Sequence, residues 1–573
     1  MRASGLFLVV VAAGAALLFH PATARAQASK SVGTDSLSGQ VSSTEEGVME
    51  GVLVSAKKEG STISVTVVSD KQGHYRFPAG RLDAGHYLLK IRAGGYDLDG
   101  PTSVDIAAGK GASADLKLRK AANLASQLTN SDWLASFPGT PEQKASVQGC
   151  THCHTLERIA RSQHDTEEFM AVIERMSHHT PESFPLMVQP DGPGRLGGGE
   201  MNMSADQVSQ QEANRRKLAE FLSSVNLSKA ETWQYPLKTA ARPTGKATQV
   251  LITEYDLPKR TRQPHDVIVD ADGIVWYASF GEAILGKLDP KTGKITEFPI
   301  PMLKPGHIVG NLDVNLDEEQ NLWIAMTFQA GVAKFDRKTE KFTIYKLPPE
   351  LDGDYREFTF AAGNHNEVDG KVWINDSGTY TIFRLDVNTG KWENFEPFPQ
   401  PRPNVYEVTS DAQNNAWFNV MGRQDVGKID AKTGKITIYP LPTPRSAPRR
   451  GTVDAQGRLW FGENRANKVG VIDTKTQEVQ EWAVPDPTYL PYDVTADKYG
   501  EAWAVTEFSD AVLRLDSKTG QFTEYLMPRE TNMRRAVVDD SGAQIKFWVG
   551  NTHQAGIIRV EPLDGPAVAN AMK

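Results

Sequence analysis

Seven tryptophans, Trp276, Trp323, Trp373, Trp417, Trp460, Trp503 and Trp548, stand 47, 50, 44, 43, 43 and 45 residues apart. Around each runs the same order: a strand, a D-x-x-G-type turn, a strand carrying the tryptophan, a strand ending in Asp, a turn such as Lys-Thr-Gly, and a strand ending near Pro. Good copies are Val267 to Pro299, Glu407 to Pro440 and Val494 to Pro528. A four-stranded unit at this period cannot bury its sheet faces alone, so the pattern predicts a seven-bladed propeller over 247–562. The last unit stops after Gly556-Ile557-Ile558-Arg559-Val560, one strand short, while Val250-Leu251-Ile252-Thr253-Glu254-Tyr255 is a lone strand ahead of the first unit. Together they complete one blade, which closes the ring and removes a free edge.

At 573 residues the chain is too long for one hydrophobic core. Residues 34–118 read as short strands broken by glycine and polar turns, for example Ser64 to Val68 and His86 to Ile91, and predict a small β-sandwich. Over 130–226 the apolar period shifts to that of a helix. Phe169, Val172, Ile173 and Met176 form one stripe behind an Asp165–Glu168 capping box, with Met176 expected in the core. Leu218, Phe221, Leu222 and Val225 form a second, behind Ser204 and Gln207. A polar stretch, 227–246, reads as a linker. The expected architecture is therefore mainly β and multidomain, with a small all-α domain between a sandwich and a propeller.

The first residues have the form of an export signal: Arg2, an apolar run from Leu6 to Phe19, and Ala24-Arg25-Ala26. Cleavage is expected after Ala26, with delivery to the periplasm. No later stretch is long and apolar enough to suggest a membrane span. The formal net charge is −8, or −10 without Arg2 and Arg25, and no dense Lys/Arg tract occurs, which argues against a nucleic-acid partner.

An exported protein usually spends its cysteines on disulfides, and this chain has only two, in Cys150-Thr151-His152-Cys153-His154. Covalent haem c attachment needs two thiols for the two vinyl groups and an adjacent imidazole for the iron, and C-x-x-C-H supplies all three. Two cysteines and a histidine fall into this spacing by chance in roughly one case in 14,000. A dithiol redox pair would call for a βαβ context, and zinc would need further Cys or His at motif spacing. The reading is one covalent haem c on Cys150 and Cys153, with His154 as axial iron ligand.

Residues 130–226 resemble a class I c-type cytochrome domain, in which a methionine in a loop before the final helix takes the other axial position. Met203, following the Gly197-Gly198-Gly199 loop, is the first candidate and Met201 the next; Met187, His178 and His179 remain open. His152 is expected to face solvent. The segment 34–118, with Gly39-Gln40-Val41, Gly73-His74-Tyr75-Arg76-Phe77 and Gly94-Gly95-Tyr96, resembles the carboxypeptidase regulatory-like, transthyretin-like sandwich, whose tyrosines pack in the core.

In propellers the innermost strand starts and the loops after the Trp strand converge on one face. Here those positions hold His265, His307, Tyr406, Arg449, Arg450, Tyr492, Arg534 and Arg535, then Ser279, Asp376, Asn419, Glu463, Glu507 and Asn551. Such a rim suits a polar or anionic small molecule, with His265, Tyr492 or Glu507 as proton acceptor. The blade beginning Pro264-His265-Asp266-Val267 resembles that of virginiamycin B lyase, the streptogramin lyase. That family opens a cyclic ester by elimination, with Mg²⁺, histidines and carboxylates. Pro-His occurs here once; Pro491-Tyr492 and Gly306-His307 stand elsewhere, so the resemblance carries over only His265.

Three functions follow: an electron-transfer protein meeting a periplasmic redox partner, an oxidoreductase whose propeller-bound substrate reduces the haem, or a streptogramin-type lyase with an accessory cytochrome. Elimination moves no net electrons, so a haem favours the redox readings. No G-x-G-x-x-G follows a strand and opens a helix, and no P-loop is present, so no dinucleotide or nucleotide motif is apparent.

Overall fold

The computed structural model describes residues 35–180, 183–189, 205–227, 232–353, 356–507 and 509–564. The expected leader and cleavage site lie outside them. Six four-stranded antiparallel sheets follow one another from Pro264 to Leu526, and a seventh combines Val537–Asp539, Lys546–Asn551 and Gly556–Pro562 with Val250–Asp256. Val250–Asp256 pairs antiparallel with Gly556–Pro562, from Val250 opposite Pro562 to Asp256 opposite Gly556. The blade shared between the two ends of the propeller is the expected closure.

The repeat has a side-chain cause. In blade one the Asp270 carboxylate accepts from the backbone N–H groups of Asp272 and Ile274, which shapes the turn, and from the indole N–H of Trp276 at 2.7 Å. Asp317, Asp411, Asp454 and Asp497 each hold the tryptophan six residues on, at 2.9–3.0 Å. One acid thus fixes both the turn and the residue wedged between blades. Blades three and seven have Glu367 and Gly542 in that place. There the Trp373 indole donates instead to the Asn414 carbonyl, and the Trp548 indole has no partner.

The sandwich does not stand apart. Its strand Ile63–Val68 pairs with the outer edge of Val250–Asp256, so one eight-stranded sheet runs from the closing blade through Leu53–Lys58 and Gly85–Arg92 to Ser103–Ile106. The seventh blade's edge is thereby covered rather than exposed. Lys57 with Asp256 and Arg81 with Glu561 reinforce the join. Tyr75, Tyr87 and Tyr96 are buried in the sandwich core, as the resemblance implied.

Between sandwich and propeller run the helices Asn130–Ser136, Pro141–Ser146, Glu157–Ala160, Thr166–Ser177 and Ala205–Val225. Both hydrogen bonds of the Asp165–Glu168 capping box form at 2.9 Å. Phe169, Phe221, Leu222 and Val225 are buried as expected, but Met176 is 36 % exposed. The two long helices meet partly through Arg216–Glu167 and Arg215–Glu174 ion pairs, so the stripe is only part of their contact and its last residue stays at the surface.

A separate all-α domain is not what forms. The helical core takes in Trp233, Tyr235 and Leu237 from the expected linker and Leu490 from the propeller. Trp133 meets Trp233 at 4.9 Å, and Phe137 meets Tyr235 at 6.1 Å. Arg92 joins all three parts: it donates to the Met527 carbonyl at 2.7 Å and Asp510 at 2.9 Å in the propeller, and reaches Thr129 at 3.5 Å. Among the described residues no helix is long and apolar enough to cross a membrane.

Candidate functional site

The C-x-x-C-H motif lies on a 3₁₀ turn, Gln148–Thr151, and the bend that follows it. The Thr151 hydroxyl donates to the Gln148 carbonyl at 2.7 Å, and Asn130 accepts the Leu156 N–H at 2.8 Å, anchoring the chain beyond His154. Cys150 and Cys153 form no disulfide. Burial first, and the neighbouring Cys153 second, push the Cys150 thiol up to about 11, the opposite of an activated redox thiolate. His154 Nδ1 lies 3.0 Å from the Thr155 carbonyl oxygen, which fits a tautomer with Nδ1 protonated and the Nε2 lone pair directed elsewhere. Burial lowers the pKa of His154, favouring the neutral ring.

The turn is pressed onto the propeller face. Asn532 Nδ2 donates to the Thr151 carbonyl at 3.3 Å, and His152 Nε2 lies 3.2 Å from Glu507 Oε1. His152 therefore faces the propeller rather than solvent, because a buried carboxylate waits there. His553 packs beneath the same turn; the residue is half-buried, with both ring nitrogens shielded from solvent. Burial, then Arg534, lower its pKa to about 3, against the raising influence of the Thr151 and His152 carbonyls. Neither of its ring nitrogens has a hydrogen-bond partner. A second tie comes from Gln189, whose amide donates to the carbonyls of Gly281 at 3.1 Å and Val309 at 3.0 Å and accepts from the Val309 N–H at 3.1 Å.

Below Glu507 a chain of buried polar groups descends into the propeller. Burial alone would raise the Glu507 carboxyl, but Arg449 at 2.7 Å, His152 and Arg534 outweigh it and hold it well below the usual carboxylate range. The Arg449 guanidinium lies over the rings of Tyr492 and Tyr406, 4.0 and 5.4 Å from their centroids. The two tyrosine hydroxyls meet at 2.5 Å, and that of Tyr492 lies 3.5 Å from His265 Nε2. His265 Nδ1 is 2.6 Å from Asp266 Oδ1, and Asp266 takes a bidentate pair from Arg450 at 2.7 and 2.9 Å. Burial lowers the pKa of His265 to about 4 despite Asp266, so the ring is neutral at pH 7.

The three residues expected to serve as proton acceptors, His265, Tyr492 and Glu507, are thus brought into one contact chain. They do not line an open rim: each is fully buried, since the C-x-x-C-H turn covers that part of the face. Asp376 is tied to Arg356 at 2.7 Å. Neither oxygen of Glu463 has a partner, and burial pushes its carboxyl up to about 7. Met203 and Met201 lie outside the described residues. Of the other axial candidates, His178 is exposed and 3.3 Å from Glu174, and Met187 is half-buried in a turn bridged to Phe184. Asn532 and His553 were not foreseen. They occupy loop positions that the blade repeat leaves unspecified, and only their packing against the C-x-x-C-H turn in the folded chain draws notice to them.

Residues 305–565 match the virginiamycin B lyase family, and residues 36–119 match the carboxypeptidase regulatory-like domain. Among solved structures, similar ones include virginiamycin B lyase from Staphylococcus aureus, at 23 % identity and a TM-score of 0.47, and a streptogramin B lyase at 24 % and 0.48. Each alignment covers 55 % of this chain and 99 % of the lyase. Curated proteins returned no match.

Proposed function

We propose that this chain is a periplasmic monohaem c-type cytochrome in which the haem-bearing segment, of class I cytochrome type, and the propeller act as one redox unit. It exchanges electrons with a periplasmic partner protein, and the propeller serves as its docking or ligand-binding surface; oxidation of a polar or anionic substrate at that face is the variant the test below separates. The observation that carries this reading is the seating of the C-x-x-C-H turn on Asn532, Glu507 and His553. That seating fixes the turn to the propeller, so the residues that would hold a haem are not on a mobile tether. The residues fit the group: two neighbouring thiols without a disulfide, and an imidazole whose Nδ1 is engaged by a carbonyl. Cys150 and Cys153 would carry the thioether bonds and His154 the iron, with Met203 the first candidate for the other axial site. Haem c supplies reversible one-electron chemistry. The chain's own part is to orient that turn and to keep water from Glu507 and Arg449.

The test is expression with a cytochrome maturation system. The mature protein gains one porphyrin mass and a c-type absorption spectrum, both lost in Cys150→Ala with Cys153→Ala. Reduction of the oxidised protein by a periplasmic metabolite fraction then distinguishes an oxidoreductase from a pure electron carrier. The family match over 305–565 favours a second reading, Mg²⁺-dependent opening of a streptogramin B ring. Among the described residues no three His, Cys, Asp or Glu side chains converge as a metal-binding group, and both ring nitrogens of His265 face protein partners. These residues do not fit Mg²⁺, and ring opening that His265→Ala abolishes would be needed to restore the lyase reading.

A further inference from the structure

The propeller axis below His265 holds more negative than positive charge. Four carboxyl groups, Asp266, Asp313, Glu407 and Asp493, face two guanidiniums, Arg450 and Arg535, beside the neutral His265. Arg450 reaches Asp266 at 2.7 Å, Glu407 at 3.2 Å and Asp313 at 3.7 Å. Arg535 reaches Glu407 at 3.1 Å and Asp493 at 3.6 Å. Oδ1 of Asp313 and Oδ1 of Asp493 nonetheless have no hydrogen-bond partner. Two guanidiniums cannot neutralise four buried carboxylates, and a buried uncompensated charge is costly enough that the group takes up a proton instead.

Two further features give that proton a route and a trigger. Asp313, Glu407 and Arg535 line a cavity of 290 Å³ further along the innermost strands, with half-exposed walls at Asn364, Thr409 and Val538; it brings solvent to the Arg535 side chain and to the edge of Glu407, while Asp313 stays behind them. In the other direction the contacts Asp266–His265–Tyr492–Arg449–Glu507–His152 run unbroken from the cluster to the C-x-x-C-H turn.

We propose that this axial carboxyl cluster, with Asp313 and Glu407 as the accepting groups, takes up a proton from solvent when the haem held by the C-x-x-C-H turn is reduced. The inference rests on the haem reading above. The protein gains one electron at the haem from an added reductant and one proton from water at a carboxylate, so its net charge is unchanged. The sign follows from electrostatics: an added electron raises the proton affinity of carboxylates that share its low-dielectric surroundings. Burial, opposed by Arg450 and Arg535, raises Asp313 well above the usual range. Burial, opposed chiefly by Arg450, pushes Glu407 up to about 7. The exchange therefore belongs near neutral pH.

The test uses the haem-loaded full chain. Its midpoint potential, measured spectroelectrochemically from pH 5 to 9, is expected to fall as pH rises through neutrality. The limit for one proton per electron is a tenfold change per pH unit, or about 59 mV for a one-electron couple. Asp313→Asn and Glu407→Gln are expected to flatten that slope. A flat potential in the wild type, or a slope that survives both substitutions, overturns the inference and leaves the haem reading intact. A chain without haem overturns the reading itself. Should either variant fail to fold, proton uptake by the wild type on reduction, followed with an indicator dye in weak buffer, decides the matter: no uptake refutes the proposal.

Discussion

Replacing Glu507 by Gln preserves its volume and removes its charge, leaving Arg449 buried against a neutral amide. Breaking a buried ion pair by removing one partner costs about 3–5 kcal/mol. The Tyr492 face at 4.0 Å is unchanged by the substitution and cancels, while the amide still accepts a hydrogen bond, so the loss is expected at the lower end, about 3 kcal/mol. Glu463, near the end of the Trp strand of the preceding blade, is the internal control. It is also buried, but neither oxygen has a partner, so Glu463→Gln removes no pairing and is expected to be neutral or stabilising. Urea unfolding followed by blade tryptophan fluorescence, with protease susceptibility of the C-x-x-C-H segment as a second readout, compares the two. Equal stability losses in both variants, or none at Glu507, would mean that the Arg449–Glu507–His152 contacts do not hold the turn on the propeller.

Arg92→Ala removes the cation that Asp510 shares with the sandwich and frees the Met527 carbonyl, so hydrogen exchange in residues 121–246 is expected to quicken while the blades stay protected; unchanged exchange would deny Arg92 its joining role. For His265, the ring takes a proton near 6.5 when unfolded and near 4 when folded. The unfolded state therefore binds more protons between those values. Stability is complete above pH 6.5 and declines as pH falls toward 4, by roughly 3 kcal/mol at about 1.4 kcal/mol per unit. Urea midpoints at pH 7.5 and 4.5 check the sign, and His265→Gln should shrink the difference. Asp411→Ala deprives Trp417 and the Asn415 amide of their acceptor and is expected to cost about 1–3 kcal/mol in the same urea assay.

What the sequence by itself determined was periodic or local. The tryptophan spacing counted the blades because each blade solves the same packing problem with the same Asp–Trp contact, so an identical chemical need recurs at a fixed interval. The split blade was legible because strand count is additive along the chain. The C-x-x-C-H motif was legible as a candidate haem-attachment turn because the two thiols and the imidazole that reading needs lie within five residues. What only tertiary structure decided involves residues with no shared period. Val250–Asp256 pairs on one edge with the seventh blade and on the other with the sandwich, a register that neither strand announces alone. The expected linker became core because Trp233 and Tyr235 find Trp133 and Phe137 about one hundred residues earlier. Glu507, foreseen as an open acceptor, is closed over by His152, 355 residues before it in the chain. Burial and pairing depend on which surfaces meet, and that is settled by the folded chain as a whole.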